Sequence, residues 1–315
     1  MQWSMSIVMT FRAVLVGAAL LCAPILSLAQ TPAATPYEPK LGQPGKDVMW
    51  LPSPDDVVVR MLQMADVRRG DLVVDLGSGD GKIPIAAVKQ YGVRALGLEY
   101  DPKLVEVSIR RAREAGVADK TTFQEADIFV ADFSKATVVT MYLLPELNLR
   151  LRPILFGMRP GTRVVSNTFS MGDWQPDEIA QMGRGRVMAW KVPANAAGDW
   201  DVKVRGLRGA PERLTLRQKF QMLQGEAVFG KLAAGLVRAQ LSGDAVTFSV
   251  RPVGGELLHF RGRVSGNRIT GTVAQGSRPA RIFEAVRPGA APALEGLVAG
   301  QPEMLRAQQE LNGSN

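Results

Sequence analysis

The 315-residue sequence has little of the residues on which much catalytic chemistry depends, with one cysteine, Cys22, and one histidine, His259. A lone cysteine inside the N-terminal segment predicts no disulfide, no cysteine nucleophile and no cysteine-ligated metal. His259 lies in a region of alternating residues that is typical of a β-sheet, so we interpret it as an ordinary strand residue. We therefore expect no metal site.

Charge is also scarce at the N-terminus, where Arg12 is the only charged side chain in residues 1–29. An apolar run over residues 13–21 and the small residues near Ala29 predict a secretory signal peptide or, if it is not cleaved, an inner-membrane anchor. We expect an exported, periplasmic or anchored protein, or a cytoplasmic one if the true start lies downstream. Residues 30–48 read as a linker.

The basic charge is concentrated in one part of the chain. Residues 46–200 carry 20 Lys and Arg against 20 Asp and Glu, whereas residues 201–287 carry 15 against 6, a net charge of +9. This excess predicts that the later region binds an anionic surface such as a membrane, an envelope polymer or nucleic acid. The alternative is a solvated, arginine-rich sheet face. The sequence contains no specific nucleic-acid motif.

The most informative segment runs from Leu72 to Lys82. A short apolar run ends at Asp75, and glycine follows at every second position, Gly77, Gly79 and Gly81. This order predicts a strand, a glycine turn and a buried helix, an arrangement in which backbone can approach a ligand closely. The spacing differs from the G-x-G-x-x-G loop of dinucleotide-binding folds, although such a site and a turn without ligand remain alternatives.

Two further predicted strands end in acids. Glu99 closes the stretch 94–99 and is followed by Tyr100, and Asp127 comes just after the stretch 121–124. In doubly wound folds an acid at the end of the second strand binds the ribose hydroxyls. Three acids at successive strand ends therefore predict a nucleoside-type cofactor.

The glycine segment and the two acids together resemble the motifs of class I S-adenosylmethionine-dependent methyltransferases. The resemblance implies that the acid and the loop hold the amino-acid end of S-adenosyl-L-methionine, that the second acid and its neighbour hold the ribose, and that the third acid contacts the adenine amine. The implied cofactor-binding residues are Asp75, Gly77, Ser78, Gly79, Gly81, Glu99, Tyr100 and Asp127.

Between Trp50 and Trp190 the chain resembles bacterial relatives of the mitochondrial lysine methyltransferases that act on an ATP-synthase subunit, and more remotely the Dot-type histone lysine methyltransferases. The resemblance rests on Leu51-Pro52-Ser53-Pro54, on the glycine segment and on Tyr142-Leu143-Leu144-Pro145-Glu146-Leu147-Asn148. It implies N-methylation of a protein lysine.

The expected catalytic residues lie in the last of those motifs. Many amino-methyltransferases have an Asn/Asp-Pro-Pro-aromatic loop there, and this chain departs from that pattern. Tyr142 would orient the nucleophile. Glu146 would accept its proton, either directly or through a water molecule. Glu146 could instead complement the dipole of a helix that begins there. Trp50 and Trp174 either line the pocket or belong to the core.

The sequence predicts an α/β fold with a doubly wound, mostly parallel Rossmann-like sheet, followed by a small antiparallel all-β domain, either a barrel or a sandwich. We assign the methyltransferase domain to residues 49–193, the β domain to 194–287 and a loose tail to 288–315. A strand at 186–192 is expected to close the edge of the first sheet.

Two alternatives to a protein lysine methyltransferase remain. One is a small-molecule methyltransferase whose β domain shapes the pocket. The other is an exported binding protein in which the methyltransferase fold is catalytically idle, because the cofactor is not expected outside the cytosol. Intact acids at Asp75, Glu99 and Asp127 oppose the second alternative.

Overall fold

The computed structural model describes residues 36–46, 49–294 and 296. The predicted signal segment, residues 1–29, lies outside this part of the chain. The described residues form an α/β domain followed by a β-barrel. No helix among them is both long and apolar enough to cross a membrane.

The α/β domain alternates helices and strands as the sequence predicts. Its helices are α1 (Asp55–Met64), α2 (Lys82–Tyr91), α3 (Pro102–Glu114) and α4 (Pro145–Phe156). Its strands are β1 (Leu72–Leu76), β2 (Arg94–Glu99), β3 (Thr121–Glu125), β4 (Val138–Met141), β5 (Arg163–Asn167), β6 (Glu178–Met182) and β7 (Gly185–Lys191).

These strands form one sheet in the order β3-β2-β1-β4-β5-β7-β6. The first five are parallel to one another, and β7 is antiparallel both to β5 and to β6. The strand order reverses next to β1, and the crevice at such a switch point is where doubly wound folds bind ligands.

The expectation that residues 186–192 close the sheet is wrong. They form β7, but β6 lies outside it and is the edge strand. None of the residues of β6 is fully buried. An edge strand with so little burial lacks the regular apolar alternation by which strands are recognised in a sequence.

Helix boundaries follow local chemistry. Asp101 caps α3 by accepting a hydrogen bond of 2.8 Å from the backbone N–H of Lys103, and Pro102 occupies the first helical position, where a missing N–H costs little. Gly92, in the left-handed conformation, ends α2. The apolar face of α1 packs into the core through Val57, Val58, Met61, Leu62 and Met64.

The second domain is a closed antiparallel barrel, which decides between the two predicted architectures. Its strands are β8 (Gly198–Val204), β9 (Arg213–Lys219), β10 (Met222–Phe229), β11 (Leu232–Ser242), β12 (Ala245–Val250), β13 (Leu258–Ser265), β14 (Arg268–Gln275) and β15 (Arg281–Val286). Two of its hairpins turn at Gly243-Asp244 and Gly266-Asn267. The core includes the stacked rings of Phe248 and Phe260, with Phe283 edge-on.

One end of the barrel packs against the α/β domain. Phe220, in the turn between β9 and β10, stacks on Trp174 with ring centroids 6.1 Å apart and contacts Phe156. The N–H of Ala194 donates to the carbonyl of Gly243 over 2.8 Å. Phe220 therefore belongs to the hydrophobic core of the α/β domain although it is supplied by the barrel.

Candidate functional site

The candidate site lies at the carboxyl ends of the parallel strands. Asp75, on β1, is only 3% exposed, and Thr140 of the neighbouring β4 donates a hydrogen bond of 2.7 Å to its carboxylate. Burial raises the pKa of Asp75 well above its ordinary value; the bond from Thr140 opposes that shift, and the charges of Glu99 and Asp80 add to it. A cationic group beside Asp75 would favour the ionised carboxylate and oppose this rise in pKa.

The backbone of the glycine loop requires glycine at three positions. Gly77, Gly79 and Gly81 all have positive φ, at 72°, 52° and 78°, a conformation that L-residues rarely adopt. A Cβ on Gly79 would lie 2.8 Å from Trp50 Nε1, and one on Gly77 would lie 2.9 Å from a methyl group of Leu143. The loop is thus a tight cradle between the segment before α1 and the end of β4.

Glu99, predicted to hold a ribose, also anchors the loop. Its Oε2 accepts the N–H of Gly79 at 2.8 Å, and its Oε1 accepts those of Tyr100 and Asp101 at 2.8 and 3.0 Å. A carboxylate offers about four acceptor positions. These three bonds fix its orientation and leave room for about one more donor.

Asp127 carries a contact that the sequence did not indicate. Its Oδ2 lies 2.9 Å from Lys46 Nζ, and Lys46 also lies 4.2 Å from the centre of the Tyr100 ring. The N–H of Phe129 and the Lys46 ammonium hold the pKa of Asp127 below its ordinary value. One residue of the predicted linker, Lys46, thus contacts two of the predicted cofactor residues. The second carboxylate oxygen of Asp127, Oδ1, accepts the N–H of Phe129.

The expected catalytic residues lie at the same edge of the sheet. Tyr142 follows β4 and stacks on Phe169, which follows β5, with ring centroids 6.2 Å apart and the ring planes 19° from parallel. Glu146 is in the first turn of α4 and is partly buried. Leu143, next to Tyr142, contacts the glycine loop, so the segment that carries Tyr142 passes beside the loop.

The two tryptophans have different environments. Trp174 is fully buried and packs against Trp190 and Phe220, so it belongs to the core. Trp50 is partly buried and lies against Gly79. Of these two tryptophans, Trp50 is therefore the one that contacts the glycine loop.

The residues fit S-adenosyl-L-methionine. Among the described residues, Ser78 Oγ is a buried polar atom without a hydrogen-bond partner, and it lies within the loop. The cradle has no space for side chains at Gly77 and Gly79. Asp75 and Glu99 lie at the carboxyl ends of β1 and β2, and Asp127 follows β3, so three acids lie along one edge of the sheet.

Several residues of the site had no signal in the sequence. Ser108, on α3, donates to the carbonyl of Gly79 over 2.9 Å, and Asp80 pairs with Arg111 of the same helix. Thr140 could have been noticed as a polar residue within an apolar strand beside Asp75. Lys46 could not, because its contact spans 81 positions in the chain.

The sequence matches the family of the ANTKMT methyltransferase domain over residues 75–178. It is 39% identical over 142 residues to a protein-lysine N-methyltransferase of Saccharolobus islandicus, a match that covers 44% of this chain and 88% of that protein. It is 33% identical over 205 residues to the ATP synthase C-subunit lysine N-methyltransferase of Mus musculus, covering 65% and 75% of the two chains.

A solved structure is also similar, an RNA methyltransferase from Salinibacter ruber in complex with S-adenosyl-L-homocysteine. The sequences are 50% identical, the match covers 45% of this chain and 94% of the other, and the TM-score is 0.45.

Proposed function

Because this chain belongs to the family of the protein-lysine and ATP synthase C-subunit lysine N-methyltransferases, we propose that it methylates lysine side chains of a protein. The chain is an S-adenosyl-L-methionine-dependent methyltransferase, because it belongs to this family. The lysine acceptor is the proposal. Its main structural support is the stacked pair Tyr142 and Phe169, at the same edge of the sheet as the glycine loop.

S-adenosyl-L-methionine supplies an activated methyl group on a sulfonium centre. We assign its amino-acid end to Asp75, Ser78 and the loop glycines Gly77, Gly79 and Gly81, because a cation would favour the ionised form of the buried carboxyl and the loop excludes side chains. Glu99 and Tyr100 would hold the ribose, and Asp127 the adenine amine.

The aromatic pair suits a lysine chain. Aromatic faces attract alkylammonium groups and also accommodate apolar methylene chains. Transfer to an amine requires the loss of a proton, and the partly buried Glu146 is close in sequence to Tyr142 and carries a carboxylate for that step. The protein would then align the lysine nitrogen with the methyl group of the cofactor and exclude water.

The small-molecule and idle-scaffold alternatives make different predictions. A small-molecule enzyme would transfer methyl groups without modifying protein, and an idle scaffold would bind the cofactor without transfer. Localisation bears on the choice, and we retain export or membrane anchoring through residues 1–29 as a proposal that rests on their composition. The basic barrel supports the further proposal of an anionic surface as partner.

The test is methyl transfer from labelled cofactor by the full chain, with the purified ATP synthase C-subunit and a membrane-protein fraction as acceptors. We expect label in protein, with methyllysine identified by mass spectrometry. The Gly79→Val variant should be inactive because its side chain fills the cradle. Label in RNA or in small molecules alone would contradict a lysine acceptor, and cofactor binding without transfer would favour the idle scaffold.

A second variant tests the aromatic pair. Phe169→Ala removes the ring that stacks on Tyr142, whereas Phe133→Leu alters a buried aromatic elsewhere in the same domain. We expect the first to raise KM for the protein acceptor while cofactor affinity stays unchanged, and the second to leave KM as it was. Equal effects of both variants would remove the support that the aromatic pair gives.

A further inference from the structure

The end of the barrel that faces away from the α/β domain is basic. Four connections meet there, residues 205–212, 230–231, 251–257 and 276–280, because antiparallel strands place alternate hairpins at opposite ends. We call these connections, together with Arg281 at the start of β15, the barrel rim. The rim carries six basic side chains and two acidic ones, Glu212 and Glu256, and the basic residues are Arg205, Arg208, Lys231, Arg251, Arg278 and Arg281.

The rim contains a concave pocket of about 230 Å³. Arg208 and Arg278 line it from two neighbouring connections, together with Arg281 at the start of β15 and Gln275 at the end of β14. Arg278 donates to the side-chain oxygen of Gln275 over 2.7 Å. Three guanidinium groups around one cavity form a site for an anion with several oxygens, since the planar fork of arginine matches phosphate geometry.

Few carboxylates offset this charge. Across the described part of the chain, the ion pair between Arg278 and Glu256, at 3.8 Å, is the one that involves a basic residue of the rim. Like charges brought together in this way repel one another, and an anionic ligand would relieve that repulsion.

Exposed apolar side chains stand beside the basic ones. Val253, in the connection that begins with Arg251, is 77% exposed, and Leu232, directly after Lys231, is 56% exposed. Ile282, next to Arg281 on β15, is 61% exposed. Neither phosphate in solution nor a nucleic-acid backbone uses such residues, whereas a bilayer interface accepts apolar tips between cationic groups.

We propose that the barrel rim binds the surface of an anionic phospholipid membrane, with a lipid phosphate in the arginine pocket and Val253 and Leu232 in contact with the acyl boundary. Nucleic acid is the less favoured partner, because single strands are bound largely by stacking on aromatic rings. Phe229, directly before the connection 230–231, is partly buried and packs against the barrel core.

The first experiment is co-sedimentation of the full chain with vesicles of phosphatidylcholine alone or mixed equally with phosphatidylglycerol. The rim variant carries Arg208→Gln, Arg278→Gln and Arg281→Gln. The control carries Arg217→Gln, Arg261→Gln and Arg263→Gln, which remove equal charge from exposed positions on the barrel wall. Residues 1–29 are present in all three proteins and contribute equally to vesicle binding. A difference in phosphatidylglycerol-dependent binding between the rim variant and the control therefore reports on the rim.

We expect the rim variant to lose phosphatidylglycerol-dependent affinity on the order of a hundredfold, since each basic group near an anionic membrane contributes roughly a factor of five. The wall variant should lose much less, and all three proteins should melt at similar temperatures. Equal losses in the two variants, or the absence of phosphatidylglycerol-dependent binding in the unaltered chain, would overturn the proposal.

The second experiment identifies the source of the phosphate. Val253→Ser combined with Leu232→Ser should weaken vesicle binding, whereas Val237→Ser, at an exposed site on the barrel wall, should not. Inorganic phosphate that displaces the protein from vesicles at low concentration would indicate a free anion instead. Tighter, rim-dependent binding of polyuridylate than of vesicles would indicate nucleic acid. Either result would refute the membrane assignment.

Discussion

Thr140 and Asp75 lie side by side on neighbouring parallel strands, and the hydroxyl of Thr140 donates to the Asp75 carboxylate over 2.7 Å. Both residues are buried. The pair places a carboxyl of raised pKa next to the glycine loop, so the protonation of Asp75 and the binding of a cationic cofactor are linked.

We predict that cofactor binding releases a proton from Asp75. The folded protein holds this proton above the ordinary aspartate pKa, because burial raises the pKa. A bound ammonium group favours the ionised form, so affinity should increase as pH rises toward the raised pKa of the free protein. Calorimetry in buffers of different ionisation enthalpy measures the release directly.

The variant Asp75→Asn separates this linkage from packing. It should weaken cofactor binding by roughly 10- to 150-fold, the value of a hydrogen bond to a charged group. It should also abolish the proton release. The free variant should be more stable than the unaltered protein at neutral pH, because a raised folded pKa means that ionisation of Asp75 destabilises the fold as pH rises. Unchanged proton release would refute the assignment.

For Glu99 we predict a combined effect on loop and cofactor. Its carboxylate accepts three backbone N–H groups, and glutamine in its place would lose one acceptor oxygen. Glu99→Gln should lower cofactor affinity by about tenfold or more. Glu125→Gln, at the end of the neighbouring strand β3, is the control and should bind normally. Thermal shifts with S-adenosyl-L-homocysteine would compare the two.

The glycine loop allows a matched pair of alanine variants. Gly79 and Gly116 both have positive φ, so alanine at either position costs about 1–2 kcal/mol of backbone strain. Only at Gly79 would the new Cβ also meet a neighbour, Trp50 Nε1 at 2.8 Å. We expect Gly79→Ala to lose cofactor binding and Gly116→Ala to retain it. Similar affinities in a binding titration would argue against the cradle.

A stability prediction concerns Asp71 at the start of β1. Burial alone would raise the pKa of Asp71, but bonds from the Arg68 N–H, Arg163 and Thr137 outweigh it and lower the pKa. The stabilisation is therefore present above pH of about 4 and is lost as pH falls further.

At neutral pH, Asp71→Asn should reduce the free energy of unfolding by about 1.5–3 kcal/mol. This difference should shrink in acid, as measured by urea denaturation across pH. The exposed Asp119→Asn should change little at any pH, and a pH-independent loss in Asp71→Asn would exclude the ionic explanation.

Much of the fold could be predicted from the sequence because the spacing of the apolar residues and the positions of the turn-forming residues indicated the same elements. The doubly wound, mostly parallel sheet and the antiparallel β domain that follows it are confirmed. Edge strand β6 was missed because its side chains are mostly solvated. The barrel could not be distinguished from a sandwich, since closure between β8, β9 and β15 depends on contacts between distant strands.

The site was predictable only where residues adjoin a strand end. Asp75, Glu99, Tyr142 and the glycines lie at one edge because parallel strands bring their carboxyl ends together. Lys46, Ser108 and Arg111 reach the same region through tertiary contacts with no sequence pattern. Glu99 also accepts the N–H of Gly79 in the loop. This contact likewise follows from the tertiary structure and has no sequence signal.

Phe220 has a consequence for how this chain can be altered. Because a barrel residue fills the core around Trp174 and Phe156, deleting the barrel would leave a cavity beneath the sheet, and loss of a buried phenylalanine typically costs about 3–5 kcal/mol. The two domains should therefore melt in one cooperative transition. Recombination that exchanged the barrel for another module would have to supply a substitute for that single ring.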